Sequence, residues 1–185
     1  MALRLRHLLP LLFSLPAVAQ TAPNGLHFTS SKMQKISVFK GTIFVNGNRT
    51  YQVQPDAIVY KSRRNKIVED NGNVFLFLEI DKAPNKNKVI VFGINNSVAD
   101  SLMEAISSDV KDYDHDEKLE FGGADIAVPH PSADSIYYTP ATFYEIKKGR
   151  ILLDQEYIEK MEKKLNGVYI KDAAGKAVPK PKGRP

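Results

Sequence analysis

Two uninterrupted apolar runs, Val74-Phe-Leu-Phe-Leu-Glu-Ile80 and Val89-Ile-Val-Phe92, are separated only by Asp81 to Lys88. A continuous apolar run bounded by turn residues fits a strand covered on both faces, whereas an alternating run fits a strand with one wet face. These segments are therefore predicted to be the two central strands of a sheet. The Pro-, Asn- and Lys-containing linker Lys82 to Lys88 suits an exposed hairpin loop. Glu79 and Asp81 are the only acidic groups here, and on a strand they share a face, read as the exposed end of a central strand.

Turn chemistry then partitions the flanking chain. Lys35 to Val45 is rich in β-branched and aromatic residues, and Gly41 marks a bulge or bend within it. Asn46-Gly47 and Asn71-Gly72 are hairpin signals, because a type I′ turn needs positive φ at both central residues. Thr50 to Gln54 alternates, Pro55-Asp56 makes a corner, and Ala57 to Tyr60 resumes the sheet. On the other side, Asn96 or Ser97 can cap a helix over Ser97 to Val110, with Val98, Leu102, Ala105, Ile106 and Val110 on one face. A long loop through Asp112 to Ser135, with Gly122-Gly123, Pro129 and Pro131, follows. Ile136 to Thr139 reads as a short strand, and Thr142 to Leu153 is favoured as a hairpin over a helix start. Asp154 caps a second helix near Gln155 to Leu165, with Tyr157, Ile158, Met161 and Leu165 on one face and Gly167 to end it. The expected fold class is α+β: an antiparallel β meander, either an open sheet or a small barrel, with two packed helices and a long acidic loop.

The ends have a different composition. Arg4 and Arg6 precede the apolar stretch Leu8 to Leu15, and Pro16-Ala-Val-Ala19 supplies the small residues a signal peptidase needs. Residues 1–19 are read as a secretory signal, 20–34 as a poorly ordered leader or edge segment, 35–170 as one α+β domain, and 171–185 as a disordered basic, Pro- and Lys-rich tail. The expected location is periplasmic or extracellular, with no membrane-spanning segment once the signal is cleaved. With no cysteine, neither disulfides nor a lipid-modified N-terminal cysteine is available, and a core of this size must suffice for stability.

Charge is segregated along the chain. Residues 32–88 carry 11 bases and 5 acids, residues 89–170 carry 8 bases and 15 acids, and residues 171–185 carry 5 bases and 1 acid. Such asymmetry bears on partners rather than on fold. The basic cluster Lys61, Arg63, Arg64 and Lys66 is a candidate partner-binding surface for an acidic protein or envelope component. Export and the lack of interleaved aromatics argue against nucleic acid.

The strongest chemical signal is Asp112-Tyr-Asp114-His-Asp116-Glu117. Oxygens at alternate loop positions can converge on calcium, a hard cation that takes six to eight of them. The segment resembles the opening of an EF-hand loop, with Leu119 at the apolar eighth position. It departs from that pattern where Glu117 replaces the turn glycine and Gly123 stands in place of the closing glutamate. The commoner reading of such a segment is a solvated acidic loop with no cofactor; against it, Asp112, Asp114 and Asp116 are the candidate metal ligands and Ca2+ the candidate cofactor, with His130 added if the site is catalytic. No catalytic set emerges: there is no cysteine, no Gly-x-Ser-x-Gly elbow, no phosphate-binding loop and no spaced histidine pair. The sequence therefore favours an exported, non-enzymatic binding or interaction module of the bacterial envelope. The alternative is a metal-assisted enzyme or calcium-binding protein that uses the loop Asp112 to Asp116.

Overall fold

The computed structural model describes residues 25–130 and 133–169. The expected signal and the basic tail, residues 1–19 and 171–185, lie outside the described residues. In the first half of the chain, paired left-handed residues set the hairpins. β1 (Gly25–Thr29), β2 (Lys35–Phe39), β3 (Thr42–Val45) and β4 (Asn48–Gln52) form one antiparallel sheet in sequence order. Asn46 and Gly47, at φ 52° and 84°, make the predicted type I′ turn between β3 and β4. Lys40 and Gly41, at 45° and 76°, make the same kind of turn one hairpin earlier. The single bulged strand expected over Lys35 to Val45 is therefore two strands. A Cβ on Gly41 would lie 2.2 Å from the Val53 carbonyl oxygen, so the glycine serves a close backbone approach as well as a positive φ. The segment before β2 supplies β1, an edge strand.

The second sheet is the meander β5 (Lys66–Asp70), β6 (Asn73–Ile80), β7 (Lys88–Asn95) and β8 (Val98–Ile106). Every residue of β6 from Val74 to Ile80 is buried, as its unbroken apolar run predicts. Leu76, Leu78 and Ile80, with Phe92 and Ile94 of β7, pack against Ile36, Val38, Ile43 and Val45 of the first sheet. Phe75 and Phe77, with Val89 and Val91, pack the other way against Phe121 and Ile146 of a third sheet. Each such side chain removed from water contributes on the order of 2 kcal/mol. The central strands are thus the shared middle layer of two apolar cores.

The helix expected over Ser97 to Val110 is not formed; that stretch is β8, paired antiparallel to β7 from Lys88↔Ile106 to Asn95↔Val98. Asn96 and Ser97 are not a helix cap but the two left-handed residues of a hairpin turn, at φ 45° and 65°, and the Ser97 hydroxyl accepts a 2.7 Å hydrogen bond from Asn46 Nδ2. The residues that mimicked an apolar helical face do not act together. Val98 and Leu102 are exposed, while Ala99 and Ala105 are the buried members of the strand. Pairing with an already central strand outweighs a helical periodicity carried by four or five residues.

The expected long loop is also interrupted. β9 (Leu119–Ala124) begins soon after the acidic cluster, and β10 (Val128–His130) and β11 (Ala133–Tyr138) form a two-stranded ribbon. β12 (Ala141–Lys147) and β13 (Arg150–Leu153) make the favoured hairpin, and β12 also pairs with β9 to give the order β13-β12-β9. Gly122 adopts φ 125°, and a Cβ there would sit 2.1 Å from the Thr142 carbonyl oxygen. Only glycine allows β9 and β12 to approach so closely.

α1 (Gln155–Asn166) is the one α-helix among the described residues, besides a single 3-10 turn at Pro55–Ala57. Asp154 caps it by accepting a 2.9 Å hydrogen bond from the Tyr157 N–H, and Gly167 ends it at φ 75°. Its buried face, Tyr157 and Ile158, packs on Ala141 and Phe143. Glu162 is also buried there, accepting hydrogen bonds from the Tyr138 hydroxyl and, at 3.0 Å, from the Ala141 N–H. The architecture corrects the α+β expectation on two counts: the described chain is mostly antiparallel β, and it has a single α-helix where two packed helices were expected. Of the two expected forms of the meander, the described sheets take the open one, with no closed barrel among them. Among the described residues no helix is long and apolar enough to cross a membrane.

Candidate metal centre

Between β8 and β9 the chain folds into a closed loop. Lys111 and Glu120 exchange backbone hydrogen bonds, Glu120 N–H to Lys111 O at 2.9 Å and Lys111 N–H to Glu120 O at 3.1 Å, so Asp112 to Leu119 is pinned at its base. Within it, Asp112 organises the turn as an acceptor: Oδ1 takes the N–H groups of His115 at 2.6 Å and Asp116 at 3.2 Å, and Oδ2 takes that of Glu117 at 3.1 Å. His115 and Glu117 are left-handed, at φ 70° and 69°. Those conformations, unusual for residues other than Gly and Asn, coil the backbone so that the alternating aspartates face one point. Asp116 Oδ1 in turn accepts from the Lys118 N–H at 3.0 Å.

The structure brings together all three predicted ligands and adds a fourth. One carboxylate oxygen from each of Asp112, Asp114, Asp116 and Glu120 lies within 4.8 Å of every other. Calcium–oxygen distances of roughly 2.3–2.6 Å give a coordination sphere about 4.6–5.2 Å across. Four oxygens gathered within 4.8 Å of one another are close enough to share one such sphere.

Glu120 is the structurally telling member. It is fully covered, at 0% exposure, in a part of β9 where Glu120, Phe121 and Gly122 are all buried. Its Oε2 accepts the Tyr113 N–H at 2.6 Å. Its Oε1, like Asp114 Oδ1, is buried with no hydrogen-bond partner among the described residues. Burying a carboxylate oxygen unpaired costs on the order of 1–3 kcal/mol or more, and buried charges are ordinarily paired or bound to a cation. Burial, reinforced by Asp114, Asp116 and Asp112, pushes Glu120 up to about 7. Burial followed by Asp114, Glu145 and Asp116 also raises Asp154 at the start of α1. Tyr157 is raised by burial together with Tyr113 and the surrounding carboxylates. Several side chains thus experience the same concentrated negative potential.

Glu120 was not named as a ligand from the sequence, since measuring against the EF-hand spacing places the closing carboxylate at Gly123. The signal that finds it is the spacing Asp-x-Asp-x-Asp-x-x-x-Glu, with the glutamate at the ninth position on the strand that closes the loop. His115 lies in the loop, but no ligand role for its ring follows from the geometry. The His130 side chain falls outside the described residues.

The four predicted partner-binding bases differ in what they touch. Lys61 and Arg63 are exposed. Arg64 instead pairs with Glu79 at 3.0 Å and Asp109 at 3.4 Å, and Lys66 Nζ donates to the Val110 carbonyl at 3.4 Å. Glu79 itself is buried at 4% exposure, not at an exposed strand end. Burial pushes its pKa upward, but hydrogen bonds from Ser62, Ser107, Asn87 and Arg64 outweigh that and hold it below the usual carboxylate range. It is a satisfied structural anion that ties the basic segment to β6. Asp81, by contrast, is exposed. The Asp112–Glu120 loop differs in having buried carboxylate oxygens without partners.

No protein-family model matches the chain, and comparison with curated proteins and with solved structures gives no match for it either.

Proposed function

We propose that this chain is an exported calcium-binding protein of non-enzymatic character, with Asp112, Asp114, Asp116 and Glu120 as its protein ligands. One observation carries this reading: Glu120, fully buried and with its Oε1 lacking a hydrogen-bond partner among the described residues, belongs to a cluster in which it and three aspartates each bring one carboxylate oxygen within 4.8 Å of the others. All four donors are hard carboxylate oxygens, which suit calcium better than zinc or copper. The loop leaves two to four of calcium's six to eight positions for water or a carbonyl, as an affinity in the range of extracellular modules requires. The export reading rests on residues 1–19, and the expected role as an envelope binding module rests on that export and on exposed Lys61 and Arg63. A structural calcium role is favoured over a catalytic one because Asp112 is already committed to three backbone N–H groups, which fixes the loop's shape.

The test is thermal unfolding of the purified chain in millimolar calcium, in magnesium and in chelator. The reading expects a rise of several degrees in calcium, a smaller one in magnesium, and none in chelator, because a ligand that binds only the folded state stabilises it by mass action. Identical melting curves in all three would remove it.

A further inference from the structure

The loop carries a cation of its own. Lys118 Nζ is ion-paired with Asp116 Oδ2 and, at 2.6 Å, with Glu145 Oε2 on β12, while Lys147 Nζ stands 3.5 Å from Glu145 Oε1. Both oxygens of Asp116 are therefore held by one residue, Oδ2 by the Lys118 ammonium and Oδ1 by its backbone N–H at 3.0 Å. A carboxylate oxygen engaged at bonding distance by an ammonium is not free to bind a metal. Glu145, whose side chain is 13% exposed, is already in contact and ready to keep the ammonium paired once it leaves Asp116.

We propose that Lys118 is an internal competitor that a divalent cation must move off Asp116 and onto Glu145 alone, and that this exchange sets both the affinity and the charge selectivity of the loop. The proposal rests on the calcium reading above. A monovalent ion entering the site replaces one unit of positive charge with another and gains little. A divalent ion adds net charge to four clustered carboxylates. Lys118 is thus a selectivity-determining residue that touches no metal itself, and Glu145 is the acceptor that keeps the displaced ammonium paired.

The experiment is calorimetric titration of the full chain with calcium chloride, comparing the unaltered protein with Lys118→Met and Lys147→Met at low and at physiological salt. Lys147 carries the same charge near the same carboxylate but makes no contact with Asp116. Lys118→Met is expected to tighten calcium binding by about tenfold, the size expected for removing a unit charge a few ångströms from a divalent ion, and the gain should persist at physiological salt. Lys147→Met should change affinity by less than about twofold, with the difference fading as salt is added. Equal effects of the two substitutions, or no effect of Lys118→Met, would overturn the competition. Absence of calcium binding in the unaltered protein and in Lys118→Met alike would overturn the calcium reading itself, and the competition with it. Lys118→Gln provides the same comparison if the methionine variant melts early.

Discussion

Substituting Glu120→Gln separates a metal ligand from an ordinary buried acid, because the two roles predict opposite changes in the metal-free protein. An acid whose pKa rises on folding, from 4.5 to about 7 for Glu120, binds its proton more tightly in the folded state. The folded state therefore loses stability as pH rises through that window. The full shift corresponds to about 3 kcal/mol, and water over the more open aspartates of the loop reduces the usable part to about 1–2 kcal/mol. Glutamine keeps the shape and can still accept the Tyr113 N–H. It also removes a fourth negative charge from the cluster. Near pH 8 without metal, Glu120→Gln should therefore raise the melting temperature by about 2–6 °C for a domain of this size. Near pH 5, where the native glutamate is largely protonated, the two proteins should melt together. With millimolar calcium the gap should narrow, because the native protein is stabilised by the metal whereas the variant has lost a ligand and gains little. The same linkage makes calcium binding by the native protein weaken as pH falls below about 7. Thermal scans at two pH values, with and without calcium, read all of this. A variant that is less stable than the native protein in chelator near pH 8, or that keeps the full calcium-induced rise, would refute the reasoning.

Two further substitutions test the scaffold. Glu79→Ala removes the acceptor shared by Arg64, Ser62, Asn87 and Ser107, while Arg64, its side chain 39% exposed, keeps Asp109 and water, so urea unfolding should show a loss of about 1–3 kcal/mol. Because its folded pKa is depressed, the native residue's stabilisation is present above its unfolded pKa and lost as pH falls through the folded one; the gap to the variant should close in acid. Gly122→Ala meets the Thr142 carbonyl oxygen at 2.1 Å in a left-handed conformation, and since the obstruction is backbone it cannot swing aside. Unfolding by denaturant should show a loss of about 3 kcal/mol or more, with weaker calcium binding because β9 carries Glu120.

What could be read from the sequence follows the local nature of each signal. The Asn-Gly turns, the doubly covered β6 and the capped helix α1 each depend on a few adjacent residues whose chemistry permits little else. β8 was misread because Val98, Leu102 and Ala105 fit a helical period by coincidence. Its partner β7, an interaction across the hairpin rather than within the segment, decided the outcome. β9 was hidden for a related reason: Gly122-Gly123 reads as a loop corner until Thr142 is known to lie against it. The same division holds at the site. Three aspartates at alternate positions announce themselves, whereas Glu120 matters only because the fold buries it and leaves Oε1 without a partner. The reverse occurred at Arg64 and Glu79, where apparent surface charges turned out to satisfy each other.

The central claim is that the four carboxylates of the loop form one calcium site, and calorimetric titration of the intact chain with calcium near neutral pH tests it most directly. The account predicts saturable binding of one ion per chain, with a dissociation constant on the order of 10⁻⁴–10⁻³ M, abolished by Glu120→Gln. No heat of binding at millimolar calcium, or unchanged binding in that variant, would contradict it.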